Sequence, residues 1–198
     1  MPVFLFNIMT GNPATRADNP ENAEKPEDFR FLLEQFADLK IMRYQVPGFS
    51  SLPNRQKIFI YYLSQAALSG RDIIYDQNYR YNLAIRRTLE HIVLNYKGDR
   101  NNPDFDAFMV YVKRVWFSNG IHHHHSKDKF FPEIKRETFL EFLNDSGREG
   151  LPLKQGQSAE AFCSEIAEII FSPDIAPKGV CQENGKDRSG HGHERAYR

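Results

Sequence analysis

The chain has 198 residues, 40% of them hydrophobic, which is enough for one domain or slightly more with a sizeable core. Its 26 basic and 26 acidic residues give a formal net charge of zero, which excludes a whole-protein field that would draw in nucleic acid or an anionic membrane. No stretch approaches the roughly 18 apolar residues of a membrane-spanning helix, and the two cysteines, Cys163 and Cys181, make neither a disulfide framework nor a metal finger.

The first nine residues hold a short apolar run, Val3 to Phe6, with no basic segment before it. It reads as a poor signal peptide or the remnant of one. The expectation is a cytoplasmic protein, or an exported one if the true start lies upstream. Residues 10–25, rich in Asn, Pro, Glu and Ala, read as a flexible lead-in. Pro26, Glu27 and Asp28 suit a first helical turn, and Phe29, Leu32, Leu33, Phe36 and Leu39 follow at helical spacing. This predicts an amphipathic helix that stops before Pro47-Gly48. Ser51-Leu52-Pro53 opens a second helix. Its apolar residues Ile58, Ile60, Tyr61, Leu63, Ala66, Ala67 and Leu68 cover much of the circumference and predict a central place in the core, up to Ser69-Gly70.

Beyond the aromatic stretch Tyr75–Tyr81, a third helix is marked by Leu83, Ile85, Leu89, Ile92, Val93 and Tyr96 and ends at Gly98. Pro103 starts a fourth, with Phe105, Phe108, Met109, Val112, Val115 and Trp116 spaced for one buried face. Ser118-Asn119-Gly120 breaks it. A loop with four histidines runs on to Lys129-Phe130-Phe131-Pro132. A fifth helix covers about Glu137 to Leu143, and a Gly-rich connection fills 144–157. Ser158 opens a sixth helix that carries Phe162, Ile166, Ile169, Ile170 and Phe171 and stops at Pro173. The fold class is mainly α, with strands few or marginal. The polar, Gly-rich residues 173–198 cannot bury enough apolar surface to offset ordering and are expected to be disordered. The domain reading is thus a lead-in over 1–25, a helical domain over 26–172 and a tail over 173–198.

The run His122-His123-His124-His125 is the most conspicuous chemistry. In an extended loop alternate residues face the same way, so His122 can converge with His124, and His123 with His125. Zinc wants three or four ligands, and only Asp128 lies near enough in sequence to add one. The favoured reading is a polar loop whose imidazoles hydrogen-bond backbone or substrate, without a metal. Arg86-Arg87 and Lys113-Arg114 read as solvated faces with local ion pairs, and Cys163 as a small buried hydrophobe. Tyr75, Tyr79 and Tyr81 read as packing residues with a wet hydroxyl end, or a ligand platform. No H-E-x-x-H, H-E-x-x-G-H, G-x-S-x-G, P-loop or G-x-G-x-x-G motif is present. The nearest approach to a zinc helix, His193-Glu194, lacks the later ligands.

Several long runs carry a resemblance: IMRYQVPGF (41–49), YYLSQAALSGRDIIYDQN (61–78), IRRTLE (85–90), NYKGDR (95–100), VYVKRVWFSNGIHHH (110–124) and Lys129-Phe130-Phe131-Pro132. With them the stretch from Leu39 to Pro132 resembles the N-terminal region of dipeptidyl peptidase III, most closely its Bacteroides-type members. The match is looser to about Phe171. The resemblance implies a two-lobed zinc metallopeptidase that removes dipeptides from peptide N-termini. In that family the metal sits in the other lobe, on an H-E-x-x-G-H helix with a further Glu. It implies peptide as the partner and zinc as the cofactor of the whole protein, with no metal ligand and no catalytic residue in this chain. It also implies that the S-N-G segment and the loop after it face the cleft, with Asn119, Gly120, His122, His123, His124 and Phe130 as substrate-binding candidates. Family members are far longer, so the expectation is an N-terminal part that is inactive alone. The tail from about Lys186 matches nothing in the family, as a truncated or shifted reading frame would give. The alternatives are a non-catalytic peptide-binding module and a purely structural helical domain.

Overall fold

A computed structural model describes residues 29–179. The expected lead-in, the apolar run at Val3–Phe6, Cys181 and the tail from residue 180 lie outside the described residues. The chain divides into two units at Pro47 and Gly48.

In the first unit the expected helix is instead an antiparallel hairpin. Strand β1 (Leu32–Phe36) pairs with β2 (Leu39–Met42), with Phe36 opposite Leu39, Gln35 opposite Lys40 and a bulge between Leu32 and Glu34. Ala37, at a left-handed φ of 47°, turns the chain, and that turn is incompatible with a continuing helix. The apolar positions fit two periods at once. Phe29, Phe31 and Leu33 recur every second residue, as do Leu39 and Ile41. Pairing extends one step past the strands, where the Arg43 amide donates to the Phe31 carbonyl at 2.7 Å. The Arg43 guanidinium also lies 4.6 Å from the Phe29 ring centre.

The second unit is helical, and with it the chain is mainly α. Its elements are α1 (Asn54–Ser69), α2 (Arg71–Asn78), α3 (Asn82–Asn95), α4 (Pro103–Ser118), α5 (Arg136–Asp145) and α6 (Ala159–Phe171). Two helix starts follow from local chemistry. The Asn102 side chain accepts from the Asp104 amide before Pro103, and the Ser158 hydroxyl accepts from the Ala161 amide. The core is built from α3, α4, α5 and α6: Ile85, Leu89 and Ile92 meet Phe108, Val112 and Val115, with Phe139, Leu143, Ile166 and Ile170 closing it. An aromatic group of Tyr96, Phe105, Phe108 and Phe142 packs at ring separations of 5.0–5.7 Å, in stacked and edge-on geometries that favour the ring quadrupoles.

Three expectations about burial are corrected. Helix α1, expected at the centre of the core, has no buried residue. Its apolar side chains are numerous, but its main neighbour is α2 rather than the helices that form the core. Arg86, expected on a solvated face, is 6% exposed. It donates to Asp72 from α2 and to Glu90 one turn on, and its guanidinium lies 5.1 Å from the Tyr75 ring centre. That ion network fastens α2 to α3. Tyr75 is not wet-ended either: its buried hydroxyl donates to the Trp116 carbonyl at 3.2 Å, and burial pushes its pKa up to about 12. Cys163 is buried, as expected. Among the described residues no helix is long and apolar enough to cross a membrane.

Candidate functional site: the turn after α4 and the histidine loop

The site starts where α4 stops. Asn119 adopts the left-handed conformation (φ 53°), which Asn tolerates better than most residues, and the Gly120 amide reaches back to the Val115 carbonyl at 3.0 Å. Asn78, the last residue of α2, donates from its side chain to the Asn119 carbonyl at 3.1 Å. Gly120 then has φ 151°, and a Cβ there would stand 2.1 Å from Asn82 Nδ2 and 2.7 Å from Asn82 Cγ. Asn82, the first residue of α3, is fully buried and fills the space that Gly120 leaves. Its Oδ1 accepts from the Ile121 amide at 3.1 Å. Because an amide N–H can only donate, that bond fixes which end of the Asn82 amide is oxygen.

From Ile121 to Phe130 the chain doubles back on itself. The Phe130 amide donates to the Ile121 carbonyl and the His123 amide to the Asp128 carbonyl, both at 2.8 Å. Lys127, at φ 62°, makes the return. The segment Ser172–Gly179 lies along the returning side. The Lys129 amide donates to the Pro177 carbonyl, the Gly179 amide to the Lys127 carbonyl, and Lys178 pairs with Asp128. Within residues 173–179, read from the sequence as the start of a disordered tail, backbone groups of Ile175, Ala176, Pro177 and Gly179 are hydrogen-bonded. The Lys129 side chain anchors them. Its ammonium, 7% exposed as a residue, donates to the carbonyls of Ile169, Ser172 and Ile175 at 2.6, 2.6 and 2.8 Å. The first two belong to the C-terminal end of α6, where a cation offsets the helix dipole. Burial pushes this ammonium down to about 8, against the pull of the Glu168 carboxylate.

The four histidines have four different settings. His122 is buried, and its Nε2 lies 2.8 Å from the Ala176 carbonyl. A carbonyl only accepts, so Nε2 carries the proton. Burial lowers its pKa, the bond to Ala176 opposes this, and Lys129 and Lys127 lower it further, so His122 is held neutral. His123 Nδ1 accepts from the amides of His125 and Ser126, each at 3.1 Å. The His124 ring stacks on that of His123 at 4.4 Å and meets the Phe117 ring edge-on at 5.2 Å. The His125 ring lies 4.3 Å from that of His124. The geometry is that of a packed turn, not of alternating ligands on an extended strand. Among the described residues no group of three or more His, Cys, Asp or Glu is placed to hold a metal ion.

A cavity of about 20 Å³ opens beside this turn, with Asn82, Ser118, Asn119, Gly120, His122, His124 and Lys127 in its lining. Its volume suits one water or one ligand oxygen. Asn82 Nδ2 and the Ser118 hydroxyl are both buried and have no hydrogen-bond partner among the described residues. Four of the six sequence candidates, Asn119, Gly120, His122 and His124, therefore line one site. His123 lies outside that lining. Phe130 is 4% exposed and sits in the core under the Arg114 guanidinium, 4.3 Å away, so it presents no surface to a ligand. Asn82 and Ser118 are the groups that sequence reasoning did not name as binding residues. Asn82 gave only the signal of a polar residue at the start of a helix with a buried face, and Ser118 that of the S-N-G break that ends α4. A larger groove of about 330 Å³ runs past Tyr79, Tyr81, Glu165 and Glu168. The Tyr79 ring meets His122 edge-on at 5.8 Å.

Asn82 Nδ2 can only donate, and a buried donor without an acceptor is costly. The cavity therefore favours an acceptor oxygen: water in the free protein, or a carbonyl or carboxylate oxygen of a ligand. No protein-family model matches the chain, and no curated protein matches it either.

Proposed function

We propose that this chain is the substrate-binding, non-zinc portion of a dipeptidyl peptidase III-type exopeptidase, and that the cavity at Asn82 and Ser118 takes up a backbone oxygen of the peptide. The resemblance over Leu39–Pro132 supports the first half. The second half is supported by a coincidence of position: the S-N-G-I-H run that belongs to the resemblance also shapes the cavity. The observation that carries the proposal is the Asn82 amide, fully buried, with Nδ2 unpartnered among the described residues, in the lining of an opening just large enough for one oxygen. In such an enzyme zinc, held outside this chain, would supply Lewis-acid chemistry for peptide hydrolysis. The residues of this chain would bind and orient the peptide and perform no step of the bond cleavage.

The test joins two measurements on the full chain. Short peptides with a free N-terminus are titrated into isotope-labelled protein and followed by NMR. The expected result is a saturable shift of the Ile121 amide and of the Asn82 side-chain amide. A dipeptidyl-arylamide substrate is then offered with zinc and with a chelator, and no turnover is expected in either. Chelator-sensitive turnover would overturn the non-zinc assignment. Absence of peptide-induced shifts at the cavity would overturn the binding role and leave a structural domain.

A further inference from the structure

Two features of the cavity beside Gly120 go beyond its fit to a single oxygen. The first is the sign of its charge. No Asp or Glu of the described residues lines it, whereas a lysine, Lys127, does. Asp128, the acid next to Lys127 in sequence, is paired with Lys178, and Lys127 has no ion-pair partner among the described residues. The positive field reaches the cavity wall: beyond burial and the bond to Ala176, the charges of Lys129 and Lys127 both act on the His122 ring. His122 is itself neutral, with its one N–H spent on Ala176. The lining therefore offers two unused neutral donors, Asn82 Nδ2 and the Ser118 hydroxyl, together with one cation.

The second feature is where Lys127 stands. It occupies the left-handed region at φ 62°, where Gly or Asn is less strained. Its backbone alone makes the turn. The amide donates to the His123 carbonyl at 3.0 Å, and the carbonyl accepts from the Gly179 amide at 2.7 Å. A glycine would make both bonds. The turn thus keeps a cation at a position whose backbone conformation favours another residue, and such strain gathers where a side chain serves a ligand. Lys127 is half-buried, whereas Asn82 and Ser118 are buried. A carbonyl oxygen would satisfy Asn82 and Ser118 and leave Lys127 unused. A carboxylate uses all three. One oxygen enters the opening, which has room for one, and the other stays on the side where Lys127 meets solvent.

We propose that the cavity is a carboxylate site and that it takes the C-terminal carboxylate of a short peptide, with Asn82 Nδ2 and the Ser118 hydroxyl on one oxygen and the Lys127 ammonium on the other. The assignment rests on the peptide-binding reading above and narrows it from any backbone oxygen to those at the end of the peptide.

Tetra-alanine tests it, as the free acid and as the C-terminal amide. Each is titrated at constant ionic strength into the isotope-labelled full chain and followed by NMR at the Asn82 side-chain amide and the Ile121 amide. The free acid is expected to bind at least about 10-fold more tightly, because hydrogen bonds to a charged group are stronger than those between neutral groups. Acetate should shift the same signals, and acetamide should not. Lys127→Gln should remove the preference for the free acid, and Lys127→Arg should keep it. Equal binding of acid and amide would overturn the carboxylate assignment and leave the peptide-binding reading standing. An amidated peptide with an internal glutamate that binds as tightly as the free acid would overturn the C-terminal assignment. Absence of shifts with either peptide would overturn both the assignment and the reading beneath it.

Discussion

Replacing Gly120 by alanine tests whether the cavity is built as described. At φ 151° a side chain is strained wherever space exists, and here the new Cβ would stand 2.1 Å from Asn82 Nδ2. The strain costs about 1–3 kcal/mol. Relief of the clash requires Asn82 to move, but Asn82 is fully buried and holds the Ile121 amide at 3.1 Å. Crowding adds about 1–3 kcal/mol, and an Ile121 amide left without its acceptor adds about 1–3 kcal/mol more. The sum is on the order of 3–9 kcal/mol, a large share of the total stability of an ordinary domain. Asn82→Ala alone loses the bond to Ile121 and is expected to cost about 1–3 kcal/mol. In the double variant the obstacle to the new methyl group is gone. The pair should therefore cost less than the two singles together, by at least about 1.5 kcal/mol. Urea unfolding followed by circular dichroism gives all three numbers. Additivity within about 0.5 kcal/mol would refute the reasoning, because it would mean that Gly120 and Asn82 do not share that space.

Two further outcomes follow from the loop. His122 is neutral in the fold with its pKa held below the ordinary value of 6.5. As pH falls from 6.5 toward the lowered value, the unfolded chain takes the proton first, so stability is lost through that window and is fully present above it. The thermal midpoint should drop between pH 7.5 and 5, and His122→Gln, which keeps a donor for Ala176, should flatten the drop. Lys129→Met keeps the apolar stem and volume but leaves three backbone carbonyls without their donor. It should cost about 2–4 kcal/mol in urea unfolding, and the Gly179 amide should exchange with solvent faster than in the unsubstituted chain.

The parts legible in the sequence are those whose causes are local. Helices α4 and α6 announce themselves because Asn102-Pro103 and Ser158 are caps within three residues of the groups they satisfy. The end of α4 is equally plain in Ser118-Asn119-Gly120. The hairpin was hidden because its apolar residues satisfy a helical and an alternating period together, and the turn at Ala37 has no glycine or proline to mark it. The exposure of α1 was illegible for a different reason. Local sequence says how apolar a helix is, not what stands beside it. The site shows the same division. Asn119 and Gly120 are visible as a break, whereas Asn82 meets its partner 39 residues away, Arg86 reaches back to Asp72, and Lys129 finds carbonyls 40 to 46 residues ahead. His122 and His124 do line one cavity, but Lys127 turns the chain, so neighbouring histidine rings also pack on one another, which an extended-strand rule does not foresee.

The segment Ser172–Gly179 bears on the order in which the molecule assembles. The link between His122 and Ala176 spans 54 residues, and those from Lys129 span 40 to 46, whereas α3 and α4 close on each other over a short connection. Contacts between distant residues wait on loop closure. During synthesis, which proceeds from the N-terminus, α3 and α4 can pair early, while the histidine turn must stay open until residue 179 has been added. Until then Lys129 remains in water as an ordinary surface cation, and the pocket beside Gly120 lacks one of its walls.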